Sequence, residues 1–113
     1  MDVPPFAASV AALDLDPWPL EPGQVVEGSP EVRGLLLHAD DAMERGVWEH
    51  TPGVSRDVEA DELFVVVSGR ATIEFEDGTV LEIGPGDVGV LPAGARTTWH
   101  VHETLRKVFQ TRR

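Results

Sequence analysis

The chain contains no cysteine among its 113 residues. Disulfide bonds, thiolate metal sites and cysteine nucleophiles are therefore excluded from every functional hypothesis. A chain of this length forms one domain, and folding removes roughly 65% of the unfolded chain's surface from water. The fold thus depends on one hydrophobic core and not on covalent cross-links.

Basic residues are scarce, with 9 Lys and Arg against 20 Asp and Glu and a formal net charge of −11. Such an excess of negative charge repels phosphate backbones and anionic lipid headgroups. Neither nucleic acid nor a membrane surface is therefore an expected partner. The simpler interpretation of the acidity is that it keeps the protein in solution.

Long apolar runs are also missing, since no stretch approaches the roughly eighteen residues that a membrane-spanning helix needs. The apolar patch near the N-terminus has no basic segment before it, and Asp14 and Asp16 interrupt it. It does not resemble a secretory signal. The sequence predicts a cytoplasmic protein.

Proline is concentrated at the start of the chain, where residues 1–30 hold six of the nine prolines. Because proline lacks an amide donor and fixes φ, this segment is predicted to form neither a central strand nor a long helix. We expect residues 1–32 to be an extended arm, with a short helix of roughly two to three turns in FAASVAALDL. The arm covers a sheet edge of its own barrel or crosses to a partner subunit.

Residues 33–113 show apolar residues at a period of two. The stretch ATIEFE (71–76) alternates strictly, and Asp77-Gly78 predicts a hairpin with a type I′ turn, which needs positive φ at both central residues. About eight short strands, separated by turn residues at spacings of roughly ten, predict an antiparallel sandwich or barrel.

Two segments carry the spacing of the paired motifs of the cupin superfamily. The first runs from Glu62 through six residues to Gly69, and the second from Gly86 through DVGVL to Pro92-Ala93-Gly94. The resemblance covers about residues 46–110. The stretches GVWEHTPG, TTWHV and LRKVF are similar to small single-domain cupins related to ureidoglycine aminohydrolase, a group that includes an accessory protein of ethanolamine utilisation. This resemblance implies an all-β, RmlC-like antiparallel jelly-roll barrel, often a homodimer, with one pocket inside.

The resemblance also shows what is missing from the ligand set of a metal-bearing cupin. Such a cupin takes two histidines and a glutamate from the first motif and one histidine from the second. By the family spacing the first two slots fall on Ser55 and Asp57, or on Arg56 and Val58 if the loop is one residue shorter. The last slot falls on Thr97. Three of the four ligands are therefore absent.

Only Glu62 of the family's ligands remains. Imidazole nitrogens with a carboxylate suit Mn, Fe, Ni or Zn, but a lone carboxylate does not hold such an ion. No metal cofactor is therefore expected. If a metal were bound, its ligands would be Glu62 with His50 or Asp57.

Glu62 shares a strand face with Phe64 and Val66, so its carboxylate is predicted to point into the barrel. A buried carboxylate is costly unless it is paired or hydrogen-bonded. It is either a general base, metal ligand or ligand anchor, or one half of an internal ion pair. The candidate cations for such a pair are Arg56, Arg106 and Lys107.

The register set by Thr97 places Trp99 inside the barrel and His100 and His102 outside it. The tryptophans Trp48 and Trp99 either fill the core or form walls on which a planar ligand stacks. The candidate pocket residues are Trp48, His50, Asp57, Glu62, Phe64, Thr97, Trp99 and Lys107.

Three functional hypotheses follow. The first is a non-catalytic or accessory cupin whose pocket binds a small polar metabolite. The second is an enzyme acting on an amino or ureido acid, with Glu62 as base or ligand. The third is a metal enzyme with a rearranged ligand set that uses His50 and Glu62.

Overall fold

The computed structural model describes residues 4–113, so the first three residues of the predicted arm lie outside the described residues. Within this range the chain forms nine strands and two short 3-10 turns, at Val10–Ala12 and Pro22–Gln24. The strands are β1 (Asp16–Pro17), β2 (Val25–Glu27), β3 (Val32–Ala39), β4 (Met43–His50), β5 (Gly53–Val58), β6 (Asp61–Phe75), β7 (Val80–Ile83), β8 (Val88–Leu91) and β9 (Arg96–Arg112). No helix among residues 4–113 is long and apolar enough to cross a bilayer.

All strand pairs are antiparallel. Hydrogen bonding runs in the order β1-β3-β4-β9-β5-β2, and β6 joins β9 to β7 and β8. The curled sheet confirms the predicted all-β antiparallel jelly-roll barrel. Its interior is filled by inward-facing side chains, among them Phe64, Ile73, Leu91 and Leu105, each at most 1% exposed.

Strands β6 and β9 are much longer than predicted, at 15 and 17 residues. The prediction of about eight short strands was wrong here, because each of these strands joins two predicted ones. The register of the β6–β9 pair shifts between Val66 and Ala71, around Gly69 at φ +87°. A Cβ at Gly69 would overlap the carbonyl of Thr104. The glycine therefore lets β6 bulge and bend without ending.

The hairpin between β6 and β7 is present, but its turn is not the predicted type I′. Gly78 has a φ of +94°, whereas no non-glycine residue among 4–113 has positive φ, so Asp77 does not meet the type I′ requirement. The Gly78 amide donates to the carbonyl of Phe75 at 2.9 Å. A single positive φ at the glycine is typical of three-residue hairpin loops.

The predicted helix of residues 6–15 is absent, and only the 3-10 turn Val10–Ala12 forms. Its flanking residue Ser9 is extended and makes no side-chain cap, so nothing stabilises a longer helix at its start. Arg106 instead fixes this segment, since its Nη1 donates to the carbonyls of Val10 at 2.7 Å and Leu13 at 3.2 Å.

The arm lies on its own barrel. Its strands β1 and β2 occupy the two ends of the hydrogen-bonded order, pairing with β3 and β5. The extended, proline-rich segment thus covers both edges of this sheet, which is one of the two arrangements expected from the sequence.

Candidate functional site

A buried ion pair lies inside the barrel. Lys107 Nζ of β9 is 2.6 Å from Glu62 Oε2 of β6, and the two side chains are 5% and 9% exposed. Lys107 is therefore the partner of Glu62 among the three candidate cations. Arg106, the residue before Lys107 on β9, points to the opposite face and pairs with Glu49 at 3.1 Å.

Three aromatic rings surround the Lys107 ammonium. Its Nζ lies 4.4 Å from the centroid of a Trp48 ring, 4.7 Å from Trp99 and 5.0 Å from Phe64. Each distance is short enough for a cation–π interaction. One carboxylate and three rings therefore hold a fixed positive charge within the barrel wall.

Glu59 is a further buried carboxylate, which the sequence did not single out. It is 6% exposed, and its Oε2 accepts hydrogen bonds from Thr97 Oγ1 at 2.6 Å and Trp99 Nε1 at 2.9 Å. Glu59 lies between the end of β5 and the start of β6. Because it belongs to neither strand, the alternation of side chains along a strand does not predict which way it faces. Backbone bonds to Ala95 and Gly94, both 2.8 Å, hold it against the turn before β9.

Asp57 lies at the edge of this group of charges. Although the residue as a whole is exposed, desolvation of its carboxyl and the neighbouring negative charge of Glu59 raise its pKa to about 6. Burial also raises the pKa of Glu62, and the Lys107 ammonium opposes this rise without cancelling it.

His50 and Ser55 form a second buried contact. His50 Nε2 lies 2.9 Å from Ser55 Oγ, and its Nδ1 lies 2.6 Å from the carbonyl oxygen of Thr51. Burial lowers the pKa of His50. Ser55 lines the cavity described next, whereas His50 is fully buried, does not line it, and contacts the lining residues Ser55 and Trp48.

A cavity of about 250 Å³ opens beside the ion pair. Its walls include all three tryptophans of the chain, Trp18, Trp48 and Trp99. Its charged lining consists of Arg56, Asp57, Glu59, Glu62 and Lys107. Of the predicted pocket residues, His50, Phe64 and Thr97 do not line this cavity, although Phe64 contacts Lys107 and Thr97 hydrogen-bonds Glu59.

The arm supplies one wall of the cavity through Trp18, Leu20 and Gln24. Trp18 packs edge-on against Phe109 at 6.4 Å between ring centroids. Its ring also occupies the space above Gly34, where any Cβ would overlap it. Sequence reasoning placed the arm over the barrel but gave no sign that Trp18 reaches the pocket.

The cavity adjoins a wider surface cleft of about 490 Å³. The two share four lining residues, Gln24, Arg56, Asp57 and Val58. Asp57 therefore lies where the inner cavity meets the cleft, which gives its carboxyl access to small molecules entering from solvent.

The residues at the four metal-ligand positions do not fit a transition metal. Ser55 and Thr97 supply only hydroxyls, the carboxylate of Glu62 is engaged by Lys107, and Asp57 is left as a single carboxylate. Both ring nitrogens of His50 are engaged by Thr51 and Ser55. Across residues 4–113 no three His, Asp or Glu side chains are grouped to hold a metal ion.

The two histidines of β9 face outward, as the register predicted. His100 Nε2 lies 3.4 Å from Glu74, and His102 Nε2 lies 2.8 Å from the Thr72 hydroxyl. Both partners are on the outer face of β6, so neither histidine reaches the cavity.

Comparison with known families agrees with this architecture. The sequence profile described as the EutQ-like cupin domain matches residues 37–109. The chain belongs to the EutQ-like cupin family. The expectation of a small cupin is therefore confirmed, and no curated protein sequence matches this cupin significantly.

Solved structures share the fold. The EutQ protein of Clostridium difficile superposes with a TM-score of 0.73 at 17% identity, over 94% of this chain and 85% of its own. A DUF861 protein of unknown function from Pseudomonas syringae pv. tomato gives 0.79 at 28% identity, over 90% of this chain and 45% of its own. The polyketide cyclase RemF from Streptomyces resistomycificus gives 0.67 at 18% identity, over 95% of this chain and 78% of its own.

Proposed function

We propose that this cupin binds a small polar metabolite in its inner cavity without a metal ion, as a cytoplasmic binding or accessory protein. The observation that carries the proposal is the Lys107 ammonium, held 2.6 Å from Glu62 beneath three aromatic rings. A fixed cation in this position takes over the electrostatic role that a metal has in other barrels.

The cavity's size and lining support this ligand class. About 250 Å³ is below the usual range for drug-sized ligands, so the ligand is a small metabolite. Tryptophan walls favour a planar or partly apolar body. Asp57, Glu59 and Glu62 outnumber the single buried lysine, which favours a ligand with hydrogen-bond donors such as hydroxyl or amino groups.

Acid–base catalysis on such a molecule is the second candidate, with amino or ureido acids as the substrate class. It is favoured by Asp57, whose carboxyl has a pKa of about 6 and lies where the cavity meets the cleft. A carboxyl that titrates near neutral pH serves as acid or base. Glu62, the candidate base from the sequence, is held in its ion pair with Lys107.

Intrinsic fluorescence provides the test, because all three tryptophans line the cavity. Small amino, hydroxy and ureido compounds are titrated against the wild type, Lys107→Met and the matched surface control Arg70→Met. We expect a compound that changes the fluorescence of the wild type and of Arg70→Met, and binds Lys107→Met at least about tenfold more weakly. Equal binding to all three proteins, or no binder in these classes, contradicts the proposal.

We also propose a homodimer formed through the outer face of β6 and β8. Four apolar side chains lie side by side there: Leu63 opposite Val90 and Val65 opposite Val88. They are 42–66% exposed. A contiguous exposed apolar patch on a sheet is typical of a protein–protein interface.

A further inference from the structure

Ser55 and His50 have the relative geometry of a serine nucleophile and its base. Ser55 Oγ lies 2.9 Å from His50 Nε2, within hydrogen-bond reach. We propose that Ser55 is a nucleophile, activated by His50, that accepts the acyl group of a small carboxylic ester bound in the inner cavity. The inference rests on the proposed function in one respect, that the cavity admits small molecules.

The hydrogen-bond partners of His50 determine where its proton lies. The Thr51 carbonyl can only accept a hydrogen bond, so the Nδ1 nitrogen 2.6 Å from it carries the hydrogen. In the neutral ring Nε2 is then unprotonated and accepts the hydrogen of the Ser55 hydroxyl. Burial lowers the pKa of His50 and so keeps the ring neutral at neutral pH.

This tautomer is the one that a general base needs. In serine hydrolases a third group holds the histidine with its hydrogen pointing away from the serine. Here the backbone carbonyl of Thr51 takes that position. The sequence gave no indication of the pair, because it is formed across the turn that joins β4 to β5.

The serine hydroxyl is placed for attack on a bound molecule. Ser55 is opposite Trp99 in the β5–β9 pair and lines the cavity together with Trp48 and Lys107. His50 is 0% exposed, so bulk water does not compete for its Nε2.

The reaction balances without a cofactor. Ser55 Oγ attacks the ester carbonyl carbon while His50 Nε2 takes the hydroxyl proton. The carbon–oxygen bond to the leaving group then breaks, and the proton passes from His50 to the departing oxygen, giving an alcohol and acyl-Ser55.

The experiment uses 4-nitrophenyl acetate, whose acetyl group is small enough for the cavity. The full chain is incubated with the ester, and intact mass followed by peptide mapping locates any acetyl group. We expect acetylation at Ser55, at a rate that rises with pH through a single ionisation below 6.5, the ordinary histidine value from which burial lowers the pKa of His50.

Variants distinguish acetylation by the Ser55–His50 pair, here called the dyad, from acetylation of other reactive groups. Ser55→Ala removes the site, and His50→Gln should slow acetylation of Ser55 about a hundredfold or more, the usual contribution of a general base. Ser68→Ala, at an exposed serine of β6, should react at the wild-type rate. Circular dichroism establishes that each variant is folded, and the pH profile of the wild type tests the base without any substitution.

Calorimetric titration with 4-nitrophenol, the leaving group of this ester, measures access to the cavity independently. Binding of 4-nitrophenol without acetylation of Ser55 overturns the dyad and leaves the binding function standing. Acetylation of Ser55 at an unchanged rate in His50→Gln also overturns it. A wild type that neither binds 4-nitrophenol nor is acetylated at Ser55 overturns the dyad, and the fluorescence titration with amino, hydroxy and ureido compounds then decides the binding function separately.

Discussion

Lys107 and Glu62 approach each other to 2.6 Å from two neighbouring strands, with their side chains 5% and 9% exposed. Glu62 keeps the position of the one family ligand that this sequence retains. A protein cation therefore pairs with the carboxylate at the position where the resemblance to metal-bearing cupins implies a metal ligand.

Replacing Lys107 with methionine should destabilise the fold strongly. The change leaves the Glu62 carboxylate buried without its cation, and breaking a buried pair on one side costs about 3–5 kcal/mol. The free energy of unfolding, measured by urea denaturation at pH 7, should fall by this amount.

The double variant Lys107→Met with Glu62→Gln should recover most of that loss, because no unpaired charge remains. The surface control Arg70→Met, whose side chain is 60% exposed, should change stability by less than about 0.5 kcal/mol. A loss below about 1 kcal/mol for Lys107→Met would show that the pair is not held in the buried form described.

The ion pair could be predicted only in part from the sequence. The period of two along β6 was enough to place Glu62 inside with Phe64, and Arg56, Arg106 and Lys107 were left as candidate partners. Choosing Lys107 over Arg106 requires the alternation set by Thr97 to continue unbroken through β9, but the sequence predicted two separate strands in this stretch. The continuity of β9 follows from its pairing with β6, which lies some forty residues away along the chain.

Glu59 and Trp18 were missed for related reasons. Glu59 lies in a gap between strands, so no alternation assigns it a face, and its two donors come from β9. Trp18 lies in an arm whose path over the barrel is fixed by long-range contacts with Gly34 and Phe109. The fold class, in contrast, depends on turns and alternation, which are local, and it was predicted correctly.

Substituting Asp57 with asparagine should change stability in a pH-dependent way. The carboxyl's pKa rises from 3.8 to about 6 on folding, so between these values the folded state binds the proton more tightly than the unfolded state. The stability that Asp57 contributes is therefore present below pH 3.8 and lost as the pH rises through 6. The melting temperature of Asp57→Asn relative to wild type should be higher at pH 7.5 than at pH 4.

His50 changes the stability with pH in the opposite direction to Asp57, but it does so equally in the wild type and in Asp57→Asn. Because its pKa is lowered below 6.5 on folding, stability falls as the pH drops through and below 6.5 in wild type and variant alike. The difference in melting temperature between them isolates Asp57. If that difference does not vary with pH, the raised pKa of Asp57 is wrong.

Substituting Gly34 with alanine should open the inner cavity. The added methyl group would occupy the space of the Trp18 ring, which forces this part of the arm off the barrel. Quenching of tryptophan fluorescence by acrylamide should increase. Gly84→Ala is the matched control, since its Cβ would meet no atom closer than 3.9 Å. Equal quenching of the two variants would contradict the role of Trp18 as a wall of the cavity.

Placing a charge on the proposed dimer face should separate the subunits. Val90→Asp puts a carboxylate into the apolar patch on β6 and β8, where burial in an interface would be costly. Light scattering at micromolar concentration should give a dimer for wild type and a monomer for Val90→Asp. Val80→Asp, at a valine of β7 that is 55% exposed, should stay dimeric. A monomeric wild type would rule out the dimer.

The central claim is that Lys107 replaces a metal ion at this site. The most direct measurement is the metal content of untagged protein, incubated with excess Mn, Fe, Ni and Zn salts, dialysed extensively and analysed by inductively coupled plasma mass spectrometry. The account predicts far less than one ion per chain, because Glu62 is engaged by Lys107 and the other ligand positions offer only hydroxyls and Asp57. A content near one ion per chain would contradict it.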